Sequence, residues 1–215
     1  MNRIEPEAVA GRAAAVRSRL DSAGGENVRI VAVTKTFPAA AIDAVVGAGI
    51  GDIGENYAQE CVAKLAEITT EPTVHFIGRL QRNKVRHLAG LVDVWQTVDR
   101  LELGREIAKR APAAAVMVQV DISGEDTKGG CAPGDTPDLV IALAELGLDV
   151  CGLMGVALLA EAEAARPGFR LLRSLVDELG LVECSMGMTA DLEVAVGEGA
   201  TIVRIGRDLF GERSR

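Results

Sequence analysis

The stretch TIVRIGRDLFG at residues 201–211 carries the strongest fold signal in this chain, together with CSMGMTADLE at 184–193. Each begins with a short apolar run that predicts a β-strand, continues through a glycine-containing turn and enters a helix. The free backbone N–H groups at a helix start carry partial positive charge and suit a phosphate group. In an eight-stranded βα barrel the last two strand-to-helix loops are the usual phosphate site, so this pair predicts a phosphate cradle in such a barrel.

Eight short apolar runs alternate along the chain with stretches of helical periodicity. The predicted strands are VRIVAV at 28–33, GIGDIG at 49–54, TVHFI at 73–77, VDVWQTV at 92–98, AVMVQVDI at 115–122, DVCGLMGV at 149–156, LVECSM at 181–186 and TIVRIG at 201–206. Runs that are apolar throughout indicate strands buried on both faces, as in parallel sheets. Strict alternation of strands and helices implies parallel strands joined by right-handed crossovers.

We therefore predict an α/β fold, a (β/α)₈ TIM barrel that forms a single domain over residues 1–215, with an extra N-terminal helix over about 5–21. Prolines near helix starts and glycines near helix ends agree with this division of the chain. The prolines are Pro38, Pro137 and Pro167, and the glycines are Gly49, Gly90, Gly147 and Gly180. The second strand has the weakest pattern, and without it an open doubly wound sheet is the alternative.

Composition narrows the class of partner. Aromatic residues make up only 3% of the chain, too few for the stacking platforms that single-stranded nucleic acids need, and the net charge of −8 disfavours any polyanion. No apolar run is long enough to cross a bilayer, and the acidic N-terminus is unlike a signal peptide. The four cysteines form no CxxC pair. We expect a cytoplasmic protein without disulfides that binds neither nucleic acid nor membrane.

Lys35, in AVTKTFP at 32–38, stands at the end of the first predicted strand, where barrel enzymes carry their functional groups. Desolvation lowers the pKa of an amine and frees its lone pair for Schiff-base formation. The alternatives are a lysine that extends along the rim to solvent or one that only contacts a phosphate.

Arg204 lies within the last predicted strand, between two apolar residues. Alternation along a strand turns its guanidinium to the opposite side from these neighbours, and a guanidinium inside a barrel mouth needs an acceptor. A protein carboxylate or a ligand heteroatom could fill that role. Ser185 in the preceding turn offers a hydroxyl, and Gly206 and Arg207 offer backbone N–H groups.

Three further features have two interpretations each. Asn56 could bind a ligand or cap the following helix. His75 alternates with apolar residues, which favours a hydrogen-bonded interior histidine over a catalyst. The basic run RLQRNKVRH at 79–87 is either a solvated helix face or a patch that attracts anions. The two histidines, His75 and His87, show no metal-site spacing, so we expect no metal.

Taken in order, these motifs resemble the pyridoxal 5′-phosphate (PLP) homeostasis proteins, the YggS/PROSC family of PLP-binding proteins. The resemblance covers about residues 28–213. It includes VAVTK around Lys35, GENYAQE at 54–60, HFIGRLQRNK at 75–84, VQVDISGEDTKGG at 118–130, GLMGV at 152–156, SMGM at 185–188 and VRIGRDLFG at 203–211.

The resemblance implies a barrel like the N-terminal domain of alanine racemase, with PLP bound to Lys35 as an internal aldimine. It also implies that the phosphate lies against Ser185, Gly206 and Arg207, largely through backbone N–H groups. Arg204 would face the pyridine nitrogen, with Asn56 near the cofactor. Met188 or His75 would line the pocket. The family commonly has a small residue in place of Arg207, so the resemblance implies no side-chain role for this arginine.

Three hypotheses follow about activity. An arginine beside the pyridine nitrogen disfavours its protonation and weakens PLP as an electron sink, and racemases of this type take a second acid–base residue from another domain, which we expect to be missing. The resemblance therefore implies a non-catalytic PLP protein, which would release the cofactor to acceptor enzymes or free amines. The alternatives are a PLP-dependent amino-acid racemase and, apart from the resemblance, a sugar-phosphate barrel enzyme in which Lys35 attacks a carbonyl substrate.

Overall fold

Eight parallel strands close into a barrel in the order in which they follow along the chain. The computed structural model describes residues 4–124, 129–157 and 161–211. The strands are β1 (Arg29–Val33), β2 (Asp52–Glu55), β3 (Thr73–Phe76), β4 (Val94–Val98), β5 (Ala115–Val120), β6 (Asp149–Gly155), β7 (Glu183–Ser185) and β8 (Ile202–Ile205). β8 pairs in parallel with β1 and closes the ring. The predicted barrel is confirmed, including its second strand, and the open-sheet alternative is wrong.

Helices follow every strand and surround the barrel. They are α1 (Pro6–Ser22), α2 (Ala39–Gly47), α3 (Ala58–Leu65), α4 (Arg82–Leu88), α5 (Leu101–Arg110), α6 (Thr136–Glu145), α7 (Arg166–Glu178), α8 (Leu192–Gly197) and α9 (Arg207–Phe210). The extra helix α1 packs against α2, α8 and α9. Because α9 has only four residues, it cannot cover β8 alone, and α1 completes the outer layer there.

Local signals explain most helix boundaries. Pro38 precedes the first residue of α2, and Gly49, Gly90, Gly147 and Gly180 all adopt positive φ just after helices, as predicted. β2 begins three residues later than predicted, at Asp52. The reason is that Gly49 and Ile50 complete the end of α2, where their N–H groups bond to Val46 and Val45 carbonyls.

The barrel buries two layers of side chains. The outer layer lies between strands and helices and contains most of the hydrophobic core. A smaller inner cluster, formed by Val31, Met117, Met154 and Ile202, fills the barrel. Side chains alternate along β8, so Arg204 shares the inward face with Ile202 while Val203 and Ile205 belong to the outer layer.

Other sequence predictions can be compared with this architecture. All four cysteines are free thiols. Among the described residues, no helix is long and apolar enough to cross a membrane, and no group of metal-ligating side chains is found in that same part of the chain. Part of the VQVDISGEDTKGG motif, residues 125–128, lies outside the described residues.

Candidate ligand-binding site

Lys35 lies two residues after the last residue of β1, in a turn at the carboxyl-terminal mouth of the barrel. The pairing of β1 with β2 extends to Thr34, whose N–H bonds to the Gly54 carbonyl. Alternation from the inward-facing Val31 therefore directs the half-buried Lys35 toward the mouth. This is the placement that a lysine needs to meet a ligand in the barrel.

The turn that carries Lys35 is held by side chains from α3. Thr36 adopts a φ of 68°, a conformation that is costly for a β-branched residue. Its N–H donates to Oε1 of Glu60 at 2.5 Å, and Nζ of Lys64 donates to the Thr34 carbonyl at 2.7 Å. Both residues that flank Lys35 are thus attached to one helix.

A buried ion pair lies behind this turn. Lys64 contacts both Glu55, which is fully buried at the end of β2, and Glu60. Thr34 Oγ1 donates to Glu55 Oε1 at 2.6 Å, while Glu55 Oε2 is buried without a hydrogen-bond partner. Burial raises the pKa of the Glu55 carboxyl, and the Lys64 ammonium opposes that rise.

Arg204 is buried in the barrel on β8, beside β1. Its Nη1 donates to Ser185 Oγ at 2.9 Å and its Nη2 to the Gly155 carbonyl at 2.8 Å. Among the described residues no carboxylate forms a salt bridge with it. Burial lowers the pKa of Arg204 to about 10 because desolvation disfavours the charge, so the guanidinium is still cationic at neutral pH.

Two of the predicted cofactor contacts lie below the mouth. The Ser185 hydroxyl is buried between Arg204 and Gln96, to which it donates at 2.7 Å. His75 is fully buried on the inner face of β3, with Nε2 2.9 Å from Asp52 Oδ1 and Nδ1 2.7 Å from Gln96 Nε2. Both side chains are hydrogen-bonded to protein partners, and their roles toward PLP, with Ser185 at the phosphate and His75 lining the pocket, stay predictions.

The two glycine turns after β7 and β8 form the other side of the mouth. A Cβ at Gly187, whose φ is +91°, would lie 2.5 Å from Ala195 Cβ, and one at Gly206 would lie 3.3 Å from the Val33 carbonyl. The backbone N–H of the half-buried Met188 donates to Asp191 Oδ1. The N–H of Arg207 opens α9 and has no acceptor within that helix. The turn after β8, the second of the two, therefore has a backbone N–H that can donate to a phosphate.

The Arg207 side chain is exposed. The adjacent Asp208 carboxylate is paired with Arg19 of α1 at 2.5 Å. The Arg19 guanidinium thereby neutralises the carboxylate next to the turn after β8, which favours an anion at the backbone of that turn.

Asn56 follows β2 at the mouth, and its Oδ1 is buried without a hydrogen-bond partner. The residue that caps α3 is Tyr57, not Asn56, and it makes no side-chain capping bond, so the capping interpretation is wrong. The loop after β3 approaches the Asn56 backbone closely, since a Cβ at Gly78 would lie 2.2 Å from the Asn56 carbonyl oxygen. An orphaned acceptor in a fixed position is suited to a ligand donor.

A cleft continues the mouth beyond Asn56, between the ends of β2, β3 and β4. Its lining includes Tyr57, Arg79, Lys84 and Arg100. Arg100 is paired with Asp99, and the basic run presents mostly exposed side chains on and before α4. This placement agrees with a solvated helix face next to the site and leaves its role as an anion patch a prediction.

The structure thus brings Lys35, Asn56, Met188, Gly206 and Arg207 around one mouth, with Arg204 on the inner wall below them. Three residues that support this site were not predicted from the sequence, namely Glu60, Lys64 and Gln96. A usable signal existed for Lys64, because it lies three residues after Cys61 on the face of α3 that is buried.

Comparisons with known proteins identify relatives of this chain. No protein-family model matches the chain. The chain is 44% identical over 218 residues to the pyridoxal phosphate homeostasis protein of Pseudomonas aeruginosa, covering 96% of this chain and 95% of the relative. It is 37% identical over 210 residues to the human protein of the same name, covering 86% of this chain and 76% of the relative.

Solved structures give the same result. PipY of Synechococcus elongatus, solved with PLP bound, superposes with a TM-score of 0.83 at 34% identity, covering 94% of this chain and all of that chain. D-threo-3-hydroxyaspartate dehydratase of Delftia superposes with a TM-score of 0.73 at 21% identity, over 96% of this chain and 60% of that chain, and shows the fold alone. With the barrel mouth and its residues as described, these relatives show that the chain belongs to the pyridoxal phosphate homeostasis protein family.

Proposed function

We propose that this protein binds PLP covalently through Lys35, at the mouth of the barrel, and serves as a non-catalytic PLP protein in the homeostasis of the cofactor inside the cell. The observation that carries the proposal is that Lys35 lies in the turn after β1, while Arg204 lies on the inward face of β8, the strand that pairs with β1. A ligand attached to Lys35 reaches the inner wall that holds Arg204. The PLP bound to the relative PipY supports the choice of ligand.

The residues at the mouth fit PLP. The Lys35 amine would attack the aldehyde carbon, so that a carbon–nitrogen double bond forms and the aldehyde oxygen leaves as water. The phosphate would lie against the open turn at Gly206 and Arg207, where side chains are absent or turned outward. Met188 would line the pocket. The buried, unpartnered Oδ1 of Asn56 would accept from a hydroxyl or protonated group of the ligand.

Arg204 supports a non-catalytic role. When bound, PLP supplies an electron sink that depends on protonation of its pyridine nitrogen. Arg204 remains cationic at neutral pH even with its pKa lowered to about 10. A fixed positive charge beside the ring nitrogen opposes a second positive charge on that nitrogen. Attachment to Lys35 is unaffected by this, while carbanion chemistry is weakened.

The surroundings of the mouth also favour exchange of PLP over catalytic turnover of a substrate. Tyr57, the single tyrosine of the chain, is 56% exposed, so it is not a buried acid–base partner for a racemase. The cleft beyond Asn56 opens to solvent. An incoming amine can therefore reach PLP and displace Lys35, which would pass the cofactor to a free amine or to an acceptor enzyme.

The test has two stages. Purified protein is titrated with PLP and reduced with borohydride, and the labelled peptide is identified by mass spectrometry for wild type, Lys35→Ala and the exposed-lysine control Lys109→Ala. We expect a visible absorbance band and a reduced adduct at Lys35 in wild type and in the control only. Absence of that adduct in wild type would overturn covalent binding.

The second stage separates carrier from enzyme. The loaded protein is incubated with D- or L-amino acids, and separately with an apo form of a PLP-dependent enzyme. We expect the apoenzyme to gain activity and each amino acid to keep its configuration. Racemisation that requires Lys35 would instead establish the alternative, a PLP-dependent racemase-like enzyme.

A further inference from the structure

A continuous chain of hydrogen bonds runs through the inside of the barrel from Arg204 to the opposite end. Arg204 donates to Ser185 Oγ at 2.9 Å, and Ser185 donates to Gln96 Oε1 at 2.7 Å. Gln96 Nε2 lies 2.7 Å from His75 Nδ1, and His75 Nε2 lies 2.9 Å from Asp52 Oδ1. The three central residues are fully buried, so water does not satisfy these groups.

The two ends of the chain set the direction of every bond. A guanidinium only donates hydrogen bonds and a carboxylate only accepts them. Ser185 must therefore use its hydroxyl hydrogen to donate to Gln96 Oε1, and Gln96 Nε2 must donate to Nδ1 of His75. The ring then carries its proton on Nε2 and donates to Asp52. Only neutral His75, in this one tautomer, satisfies all partners at once.

The far end of the chain is anchored at the amino-terminal rim of the barrel. Asp52 is the first residue of β2, and its Oδ1 lies 3.8 Å from Nη1 of Arg29. Arg29 in turn donates to Glu183 at 2.6 Å. The Arg204 guanidinium is thus held from the end of the barrel that lies opposite to the Lys35 mouth.

We propose that Ser185, Gln96 and His75 are positioning residues for Arg204, and that their hydrogen-bond chain fixes the guanidinium in the orientation that faces the ring nitrogen of PLP. The inference rests on the proposed function. The Nη2 bond to Gly155 and the Nη1 bond to Ser185 together define the guanidinium plane. Loss of the Ser185 hydroxyl removes the acceptor that orients Nη1, and loss of a more distant link leaves that hydroxyl without the partners that fix its direction.

Non-additivity distinguishes this role from simple packing. Residues that act through one network give a double variant no worse than the stronger single variant, whereas independent structural effects multiply. Ser185→Ala breaks the chain next to Arg204, and His75→Leu breaks it two links away. Met117→Leu is the matched control, because Met117 is buried on the same inner face but is not part of the chain.

We measure the PLP dissociation constant and the absorbance maximum of bound PLP for each variant. We expect roughly a threefold to tenfold weaker affinity for Ser185→Ala, a similar or smaller loss for His75→Leu and no further loss in the double variant. Ser185→Thr, which keeps the hydroxyl, restores the wild-type spectrum and affinity. Losses that multiply, or variants that match the Met117→Leu control, would overturn the proposal.

A measurement on the ligand-free protein makes the test independent of PLP and of variant folding. Nitrogen-15 NMR of the two histidines, with His87→Gln to identify the signals, reports the tautomer of His75. We expect a neutral ring protonated on Nε2 at pH 7. A ring protonated on Nδ1, or on both nitrogens, would contradict the chain. If wild type forms no borohydride-stable adduct at Lys35, the proposed function fails, and the NMR result still decides the hydrogen-bond chain.

Discussion

The Glu60 carboxylate accepts a hydrogen bond from the backbone N–H of Thr36, the residue that directly follows Lys35. A helix that follows the second strand thereby holds the turn that follows the first. The positive φ of Thr36 is not a conformation that a threonine keeps by itself, so tertiary contacts must hold it. Glu60 therefore takes part in placing Lys35, although it is not at the mouth itself.

Removal of this contact should weaken PLP binding. In Glu60→Ala the Thr36 N–H loses a charged acceptor, and such a bond contributes about 1.5–3 kcal/mol. We expect PLP affinity to fall roughly tenfold, about 1.4 kcal/mol, with the adduct still at Lys35. Glu102→Ala is the matched control, since Glu102 is also an acid in the first turn of its helix. Equal affinities in an absorbance titration would show that the turn keeps its shape without Glu60.

The buried Lys64 should be important for stability. In Lys64→Met the Glu55 carboxylate remains buried without its counter-charge, and breaking a buried pair in this way costs about 3–5 kcal/mol. The double variant Lys64→Met/Glu55→Gln should recover much of this loss, because no buried charge is left. Urea unfolding at pH 7 measures all three stabilities. A double variant as unstable as Lys64→Met would contradict the interpretation.

The stability of Lys64→Met should depend on pH. Burial already raises the pKa of Glu55, and loss of the Lys64 ammonium removes the main opposing effect, so the folded Glu55 of Lys64→Met binds a proton more readily than the unfolded one. Its stability deficit should be smallest below the unfolded pKa and grow as pH rises through the folded pKa. The Glu55→Gln double variant should lack this dependence, as measured by urea unfolding between pH 4 and 8.

Gly78 should tolerate no side chain. A Cβ there would lie 2.2 Å from the Asn56 carbonyl oxygen, a backbone atom that cannot rotate away. We expect Gly78→Ala to cost about 3 kcal/mol and to lower Tm by roughly 6–12 °C. Gly51→Ala is the control, because a Cβ at Gly51 meets nothing within 4 Å. Similar melting temperatures in calorimetry would mean that the β3 loop can move away from Asn56.

The cysteines should differ in reactivity. Burial raises the pKa of all four thiols, that of Cys61 and Cys184 to about 12 and that of Cys151 to about 11. Since the thiolate fraction of such groups rises about tenfold per pH unit below the pKa, alkylation should be slow at pH 8 and accelerate toward pH 10. We expect iodoacetamide to modify the half-buried Cys131 first, with all four labelled in urea. Labelling of folded Cys61 at the rate of Cys131 would contradict its burial.

The strand pattern was predictable because it is a local property. Eight apolar runs separated by helical periodicity allow few arrangements of parallel strands, and the barrel followed from them. The residues of the mouth were predictable for a related reason. Lys35, Asn56 and Gly206 lie within two residues of the ends of β1, β2 and β8, and parallel strands bring those points to one rim.

Partners that come from distant parts of the chain could not be predicted in this way. The resemblance implied a phosphate contact for Ser185, largely through the backbone, and no local pattern indicated the partners of its hydroxyl. That hydroxyl lies between Arg204 and Gln96, a residue 89 positions away. The spacing of Lys64 from Cys61 indicated at most a buried position on α3, and the contact of α3 with the end of β2 shows that Lys64 is the counter-ion of Glu55.

The barrel, the order of its strands and the ring of residues at its mouth could be predicted from local patterns, because hydrophobic periodicity and turn chemistry act over a few neighbouring positions. The side chains that support that ring could not, because they come from several elements that meet only in the folded protein. The bonds of Glu60, Gln96 and His75 depend on how the barrel closes and on which face of each strand points inward. Those distances arise from packing among segments far apart in the chain, and no local pattern specifies them.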